Sequence, residues 1–105
     1  MPTFLLISRH SPENCAMFNE KAKKTAIAYA NKMDAWAKKY GVKVAATATV
    51  PSEHLFVMIG EAPNLEALQK VAMEPEAIAM STYNTTELKL ALSMEESMKM
   101  IQQTK

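Results

Sequence analysis

The residues with the widest chemical range in this chain are its two histidines, its single cysteine and one tyrosine. His54 follows Glu53, and an imidazole with a pKa near neutrality serves as a general base or as a metal or haem ligand. Because adjacent residues of an extended chain point to opposite sides, Glu53 need not contact His54. Two interpretations stay open: a functional histidine, or a polar hairpin turn with a half-exposed ring.

His10 and Cys15 lie close together in sequence, His10 at the end of a predicted strand and Cys15 in the first turn of a predicted helix. A helix N-terminus favours a thiolate, whereas a lone cysteine more often packs as a small apolar residue. We expect the first and third strands to run parallel, which places His10 and His54 at opposite ends of the sheet. The histidines of one chain then cannot share a metal ion, so the sequence predicts neither a metal site nor a cofactor.

Nine methionines and Tyr83 complete the candidate set. Clustered thioethers bind Cu(I), but Met94, Met98 and Ile101 have the i, i+4, i+7 spacing that is typical of an apolar helix stripe. Pliable packing is therefore the favoured interpretation of the methionines. Tyr83 lies on a predicted fourth strand, where it is either a proton-shuttling group in a cavity or a satisfied interface tyrosine.

The elements that position these residues follow from hydrophobic periodicity. Residues 3–8 form an apolar first strand, and Ser11 followed by Pro12 predicts the start of a long amphipathic helix that ends at Gly41. Strands are predicted over residues 42–50 and 55–61, joined by a four-residue loop that pairs Val50 with Leu55. One face of this hairpin then carries Val44, Ala46, Ala48, Val57 and Ile59, and the other carries Thr47, Thr49, Phe56 and Met58.

The second half of the chain repeats this order. Asn64 caps a second helix, Pro75 interrupts it before a short turn over residues 76–80, and residues 83–90 form a weaker edge strand. Ser93 and Glu96 form a capping box that starts a terminal helix running to about Gln102. The order β-α-β-β-α-β-α predicts one α+β domain over residues 1–105, with a four-stranded antiparallel sheet in the ferredoxin-like arrangement.

In this arrangement the sheet face with Thr47, Thr49, Phe56 and Met58 has no helix to cover it, which predicts a second copy packed sheet to sheet. A chain of 105 residues forms one core with little apolar material to spare, so we expect any pocket to lie between the two subunits. The face then supplies apolar contact from Phe56 and Met58, orienting hydroxyls from Thr47 and Thr49, and one titratable group from His54.

Composition excludes several functional classes. Twelve basic against eleven acidic residues give a net charge of +1, which offers no field for nucleic acid or an anionic membrane. The apolar runs are too short to span a bilayer, and no secretory leader is apparent. A single cysteine fits a reducing compartment, so we expect a cytoplasmic protein.

The segments TFLLISRHSPEN and VPSEHLFVMIGEAPNLEAL, together with the order of elements, resemble a small prokaryotic family of the dimeric α+β barrel superfamily. In that superfamily two ferredoxin-like subunits pack their sheets around a cavity, and its members include isomerases, monooxygenases, cyclases, haem proteins and non-enzymes. The resemblance implies a homodimer that binds a small, largely apolar molecule. Two alternatives remain, a cofactor-independent oxygenase, isomerase or cyclase that uses His54 as base with Tyr83, and a purely structural assembly module.

Overall fold

A computed structural model describes residues 2–103. Four strands form one antiparallel sheet in the order β2-β3-β1-β4. The strands are β1 (Thr3–Arg9), β2 (Lys43–Val50), β3 (Leu55–Glu61) and β4 (Thr85–Ala91). The helices are α1 (Glu20–Tyr40), α2 (Leu65–Ala72), α3 (Pro75–Ser81) and α4 (Met94–Gln103). This order of elements and strands confirms the predicted ferredoxin-like α+β class.

The first long helix starts later than the sequence predicts. Ser11 and Pro12 open only a short 3-10 turn, Pro12–Asn14, and α1 begins after Asn19, whose side chain accepts a hydrogen bond from the Ala22 amide at 3.0 Å. Phe18, which the periodicity places on the apolar stripe of this helix, is 81% exposed in the preceding segment. The predicted end is confirmed, because Gly41 takes the left-handed conformation that closes a helix, with φ 71°.

The β2–β3 hairpin has the predicted four-residue connection, with Val50 paired to Leu55. A register shift between Val44 and Ala46 then turns Val44 to the face of Phe56 and Met58, so its predicted position beside Ala46 and Ala48 is wrong. A bulge of this kind reverses the alternation of all residues beyond it.

The helices cover the face opposite to the one predicted. Phe4 and Met58 are buried in the core, and Phe56 packs against them together with Met33 of α1 and Leu68 of α2. Phe56 and Met58 therefore lie beneath the helices, and the prediction that their face is uncovered is wrong. The periodicity of two separates the faces correctly, but both faces are apolar enough to receive helices, so the pattern alone cannot choose between them.

The open face carries the remaining side chains of the inner strands. Leu5 pairs with Ile59 and Ile7 pairs with Val57, and Ile59 is 39% exposed. Ala46 and Ala48 continue this face onto β2, as predicted. The open surface is thus an aliphatic stripe over three strands.

The second half follows the predicted order with shifted ends. Asn64 caps α2 by accepting from the Ala67 amide at 2.8 Å, and Pro75 starts a full α3 rather than the shorter turn predicted. Tyr83 precedes β4 instead of lying on it. The capping box is confirmed by reciprocal 3.1 Å hydrogen bonds between Ser93 and Glu96. Within residues 2–103 no helix has the length and hydropathy needed to cross a bilayer.

Candidate functional site

The two histidines meet at one end of the sheet. Strands β1 and β3 are antiparallel, and Arg9 faces Leu55 in the last ladder position. One residue further, the His10 amide donates to the His54 carbonyl at 3.2 Å. The prediction that the first and third strands run parallel is wrong, and with it the separation of the histidines. In an antiparallel pair, the residue after one strand lies beside the residue before its partner.

The imidazole rings of His10 and His54 are in direct contact. Nδ1 of His54 lies 3.3 Å from Nε2 of His10, and the ring centroids are 5.1 Å apart at an interplanar angle of 72°. His54 also has the one positive φ among the non-glycine residues of the described chain, 51°, at the end of the hairpin loop. A left-handed residue with a Cβ costs about 1 kcal/mol or more, so the ring is presented here at some expense of stability.

Cys15 completes a cluster of three side chains whose types can ligate a metal ion. It follows the 3-10 turn, and its amide donates to the Pro12 carbonyl at 3.2 Å. The thiol is buried rather than set in the first turn of α1, so its predicted helical position is wrong. The donor atoms of His10, Cys15 and His54 all lie within 4.8 Å of one another.

The surroundings of His10 favour its neutral form. Burial lowers the pKa of His10 below its usual value of 6.5, and the neighbouring His54 lowers it further. A hydrogen bond with the side chain of Asn84 acts in the opposite direction. The net direction is downward, so His10 is mainly unprotonated at neutral pH and can offer a lone pair.

A partly open cavity lies between the sheet and the helices, with two lobes. The first has a volume of about 240 Å³ and the second of about 230 Å³, and they share Ser8, Met33 and Phe56 on their walls. His10 and Tyr83 line only the second lobe. The first lobe is walled mainly by apolar side chains, including those of Phe4, Leu6, Tyr29, Trp36, Met58, Leu68, Val71, Ala77 and Leu88.

A few polar groups interrupt this apolar wall. Ser8 is buried on β1, and its Oγ accepts a 3.4 Å hydrogen bond from Oγ1 of Thr86 on β4. Asn84 lines both lobes and donates from Nδ2 to the Met80 carbonyl at 2.9 Å. Burial raises the pKa of Tyr29, so its hydroxyl stays protonated as a hydrogen-bond donor.

The structure brings together part of the set predicted from the sequence. Phe56, Met58 and Tyr83 line the cavity, and His54 touches it through His10. Thr47 and Thr49 share a face with Met58 and Phe56 but are exposed on the edge strand β2 and line neither lobe. The expectation that a pocket requires a second subunit is also wrong, because one chain alone lines both partly open lobes.

Sequence reasoning missed the roles of Ser8 and Asn84 and the meeting of the histidines. The signal for the histidines was present, since an antiparallel pairing of residues 3–9 with residues 55–61 sets His10 opposite His54. Ser8 and Asn84 carry no such signal, because isolated polar residues at the ends of strands are common.

Comparison of the sequence with protein-family models and with curated proteins gives no match. Among solved structures, an uncharacterized NIPSNAP domain protein from Burkholderia xenovorans superposes with a TM-score of 0.58 at 11% identity, over 89% of this chain and 94% of that one. An antibiotic biosynthesis monooxygenase superposes with a TM-score of 0.51 at 12% identity, over 89% and 98%.

A third solved structure also superposes on this chain. It is a Caulobacter crescentus CB15 protein proposed to be an antibiotic biosynthesis monooxygenase, with a TM-score of 0.52 at 16% identity, over 88% of this chain and 92% of that one. At such identities the likeness concerns the fold. The chain has the ferredoxin-like α+β fold that these three structures share.

Proposed function

We propose that the protein binds a small, largely apolar molecule in the cavity between its sheet and its helices. The observation that carries this proposal is the apolar wall of the first lobe, which stays open although Phe4 and Met58 beside it are closely packed. An unfilled space of this kind reduces the stability of a core, and ligand pockets combine such walls with a few oriented polar groups.

Each part of the cavity has a distinct task in this proposal. Phe56 and Met58 give the apolar contact predicted for them, from the helix-covered side of the sheet. Tyr29 donates a hydrogen bond, and Ser8 and Asn84 orient a polar substituent where the lobes join. Thr47 and Thr49 are not assigned to the ligand.

The proposal includes a cytoplasmic homodimer built on the open face. The aliphatic stripe of Leu5, Ile7, Val57 and Ile59 has no cover within residues 2–103. Its border carries an ion pair between Arg9 and Glu87, with the charged atoms 3.3 Å apart. An apolar centre with a charged rim is the usual composition of a protein interface.

Ligand binding is tested with a fluorescent probe and a pair of matched variants. The probe is 8-anilino-1-naphthalenesulfonate, whose emission shifts to the blue in an apolar site. Ala77 lines the first lobe, whereas Ala28 is exposed on α1, so Ala77→Phe fills the cavity and Ala28→Phe makes the same change outside it. We expect saturable binding in the wild-type protein and in Ala28→Phe, and its loss in Ala77→Phe. Equal binding by all three proteins, or by none, contradicts the proposal, and no binding favours the structural module.

The dimer is tested by native mass spectrometry of protein purified without added ligand. We expect the mass of two chains, and a constant extra mass identifies a bound molecule directly. Ile59→Lys places a charge in the stripe and should give a monomer, whereas Ile27→Lys on the exposed side of α1 should not. A wild-type monomer at micromolar concentration contradicts the dimer while leaving the cavity within one chain intact.

The second candidate function is a cofactor-independent oxygenase, favoured by His10 and Tyr83 lining the same lobe. A ring nitrogen of His10 would remove a proton from an electron-rich phenolic substrate, and His54 would support it through the 3.3 Å contact. The substrate carbanion supplies the electrons that reduce O₂, one oxygen atom enters the substrate and the other leaves as water.

Oxygen uptake with dihydroxynaphthalenes tests the second candidate. We expect His10→Ala to abolish turnover, and His54→Ala and Tyr83→Phe to lower it less, all with unchanged far-ultraviolet circular dichroism. Uptake that is equal in wild-type protein and His10→Ala removes the oxygenase from consideration without affecting the binding proposal.

A further inference from the structure

We propose that His10, Cys15 and His54 form a three-ligand site for a borderline-soft divalent metal ion of the Zn²⁺ class. This inference goes beyond the proposed function, because it depends on the side-chain cluster and not on the apolar cavity. Three segments distant in sequence supply the ligands: the end of β1, the 3-10 turn and the β2–β3 loop.

The spacing of the nitrogens suits a single ion. Two Zn–N bonds of about 2.0–2.1 Å at the tetrahedral angle hold their nitrogens about 3.3 Å apart. Nδ1 of His54 and Nε2 of His10 are 3.3 Å apart without an ion. The sulfur of Cys15 lies within 4.8 Å of a ring nitrogen of each histidine, so a movement on the order of 1 Å brings it to a Zn–S bond of about 2.3 Å.

The chemistry of the donors selects the class of metal. Two imidazole nitrogens and one thiolate suit Zn²⁺, Co²⁺ and copper, whereas Ca²⁺ and Mg²⁺ require oxygen ligands. Three protein ligands leave the fourth position of a tetrahedral ion for water or for a group of the cavity ligand.

The backbone holds the three ligands close to these positions. The His10 amide bonds to the His54 carbonyl at 3.2 Å, which fixes the two histidines against each other. The Cys15 carbonyl accepts from the amides of Phe18 and Asn19 at 3.0 and 2.9 Å, and its own amide donates to Pro12. A site built on such contacts loses little conformational entropy when the ion binds.

The competing account is a hydrogen bond between two neutral imidazoles beside a packed thiol. It accounts for the 3.3 Å contact equally well, but in it the Cys15 thiol only packs and does not ligate an ion. The thiolate is therefore the discriminating ligand. A bound ion would occupy the His10 nitrogen that acts as base in the second candidate function. Metal binding should therefore inhibit that oxygenase, so His10 cannot be ligand and base at the same time.

The test is titration of the full-length, chelator-treated protein with Co²⁺ and then with Zn²⁺. We expect one equivalent of Co²⁺ to give a thiolate-to-cobalt charge-transfer band in the near ultraviolet, and Zn²⁺ to abolish that band by displacement. Cys15→Ala should lose the band, and His54→Gln should weaken Zn²⁺ binding about a hundred-fold or more, since even outer-shell partners contribute ten- to a hundred-fold.

Glu53→Gln is the matched control, because Glu53 precedes His54 on the same loop and its carboxylate is outside the cluster. Its affinity for Zn²⁺ should equal that of the wild-type protein. If the histidine variant does not fold, the presence or absence of the charge-transfer band in the wild-type protein still decides the matter. No band, or Zn²⁺ binding that Cys15→Ala leaves unchanged, overturns the proposal.

Discussion

The two ends of the β1–β3 strand pair differ in burial and in the type of side chain they carry. At one end Phe4 is 2% exposed opposite the buried Gly60, and Ala62 just beyond the ladder is 2% exposed. At the other end His10 and His54 are half-buried beside an open cavity lobe. The same two strands thus join a filled core to a cluster of reactive side chains.

This contrast separates the part of the ladder that lies in the core from the part that carries the proposed site. At the packed end a Cβ added at Gly60 would meet the Lys43 carbonyl oxygen and the Phe4 ring, whereas the histidine end contains a left-handed residue and three donor atoms within 4.8 Å of one another. Local strain and unfilled space are tolerated at functional sites when the surrounding structure is stable. Substitutions at the two ends should therefore differ strongly in their effect on folding.

The largest effect is expected from Gly60→Ala at the packed end. An added Cβ would lie 2.3 Å from the Lys43 carbonyl oxygen and 3.1 Å from two atoms of the Phe4 ring. A backbone oxygen cannot move aside cheaply, so we expect a loss of about 3 kcal/mol or more in the free energy of unfolding. Urea denaturation monitored by the fluorescence of Trp36 measures it.

Gly41→Ala is the matched control for this change. Its added Cβ would meet nothing closer than Pro63 at 3.6 Å, but Gly41 has a φ of 71°. We expect a loss of about 1 kcal/mol from backbone conformation alone. Equal losses of stability in Gly60→Ala and Gly41→Ala would show that close packing around Gly60 does not add to the cost of the substitution.

Phe4→Ala, at the position opposite Gly60, should have an effect of similar size. Removing a fully buried ring opposite Gly60 costs about 3–5 kcal/mol. Phe18→Ala removes the same ring where it is 81% exposed and should change stability by about 0.5 kcal/mol at most. A similar effect of both changes in thermal unfolding would contradict the placement of the core.

The sequence was informative where a local signal decides the structure. Gly41 ends α1, Val50 pairs with Leu55, and Ser93 with Glu96 caps α4, all as predicted. Each of these features depends on residues within a few positions of one another, where the chemistry of caps and turns acts.

The sequence was misleading where several local solutions compete. Ser11 and Pro12 are a good helix start, but Asn19 caps α1 and leaves them in a 3-10 turn. The choice of the helix-covered face and the meeting of His10 with His54 depend on contacts between distant segments. Periodicity contains no information on those contacts, so it predicts an open face where Phe56 and Met58 lie beneath the helices.

At the histidine end, His54→Gly should separate stability from chemistry. Glycine adopts a φ of 51° freely, and this relief offsets its greater chain entropy in the unfolded state, so stability should change by about 1 kcal/mol at most. The same variant should lose binding of Zn²⁺ in a cobalt-displacement titration. His54→Ala, which keeps a Cβ in the left-handed conformation, should be the less stable of the two. A large loss of stability in His54→Gly would mean that the His10–His54 contact holds the sheet together.

The smallest effect concerns a polar contact near the packed end, where α1 finishes. The Tyr40 hydroxyl donates to Oε1 of Glu74, and Lys39 lies 3.4 Å from the same oxygen. The hydrogen bond from Tyr40 lowers the pKa of Glu74 below its usual value of 4.5, and the Lys39 contact adds to this shift. A carboxyl whose folded-state pKa is lowered stabilises the fold above its unfolded-state pKa and loses that contribution as the pH falls through the folded-state value.

Tyr40→Phe should therefore reduce stability slightly at pH 7, and the difference from the wild-type protein should vanish as the pH falls through the lowered pKa of Glu74. Urea denaturation over a series of pH values measures this convergence, and carbon-detected NMR should show the Glu74 pKa rising toward its usual value. Tyr83→Phe, which leaves Glu74 untouched, should show no such convergence. A constant difference between Tyr40→Phe and wild type across this range would mean that the Tyr40 ring, and not its hydroxyl, stabilises the packed end.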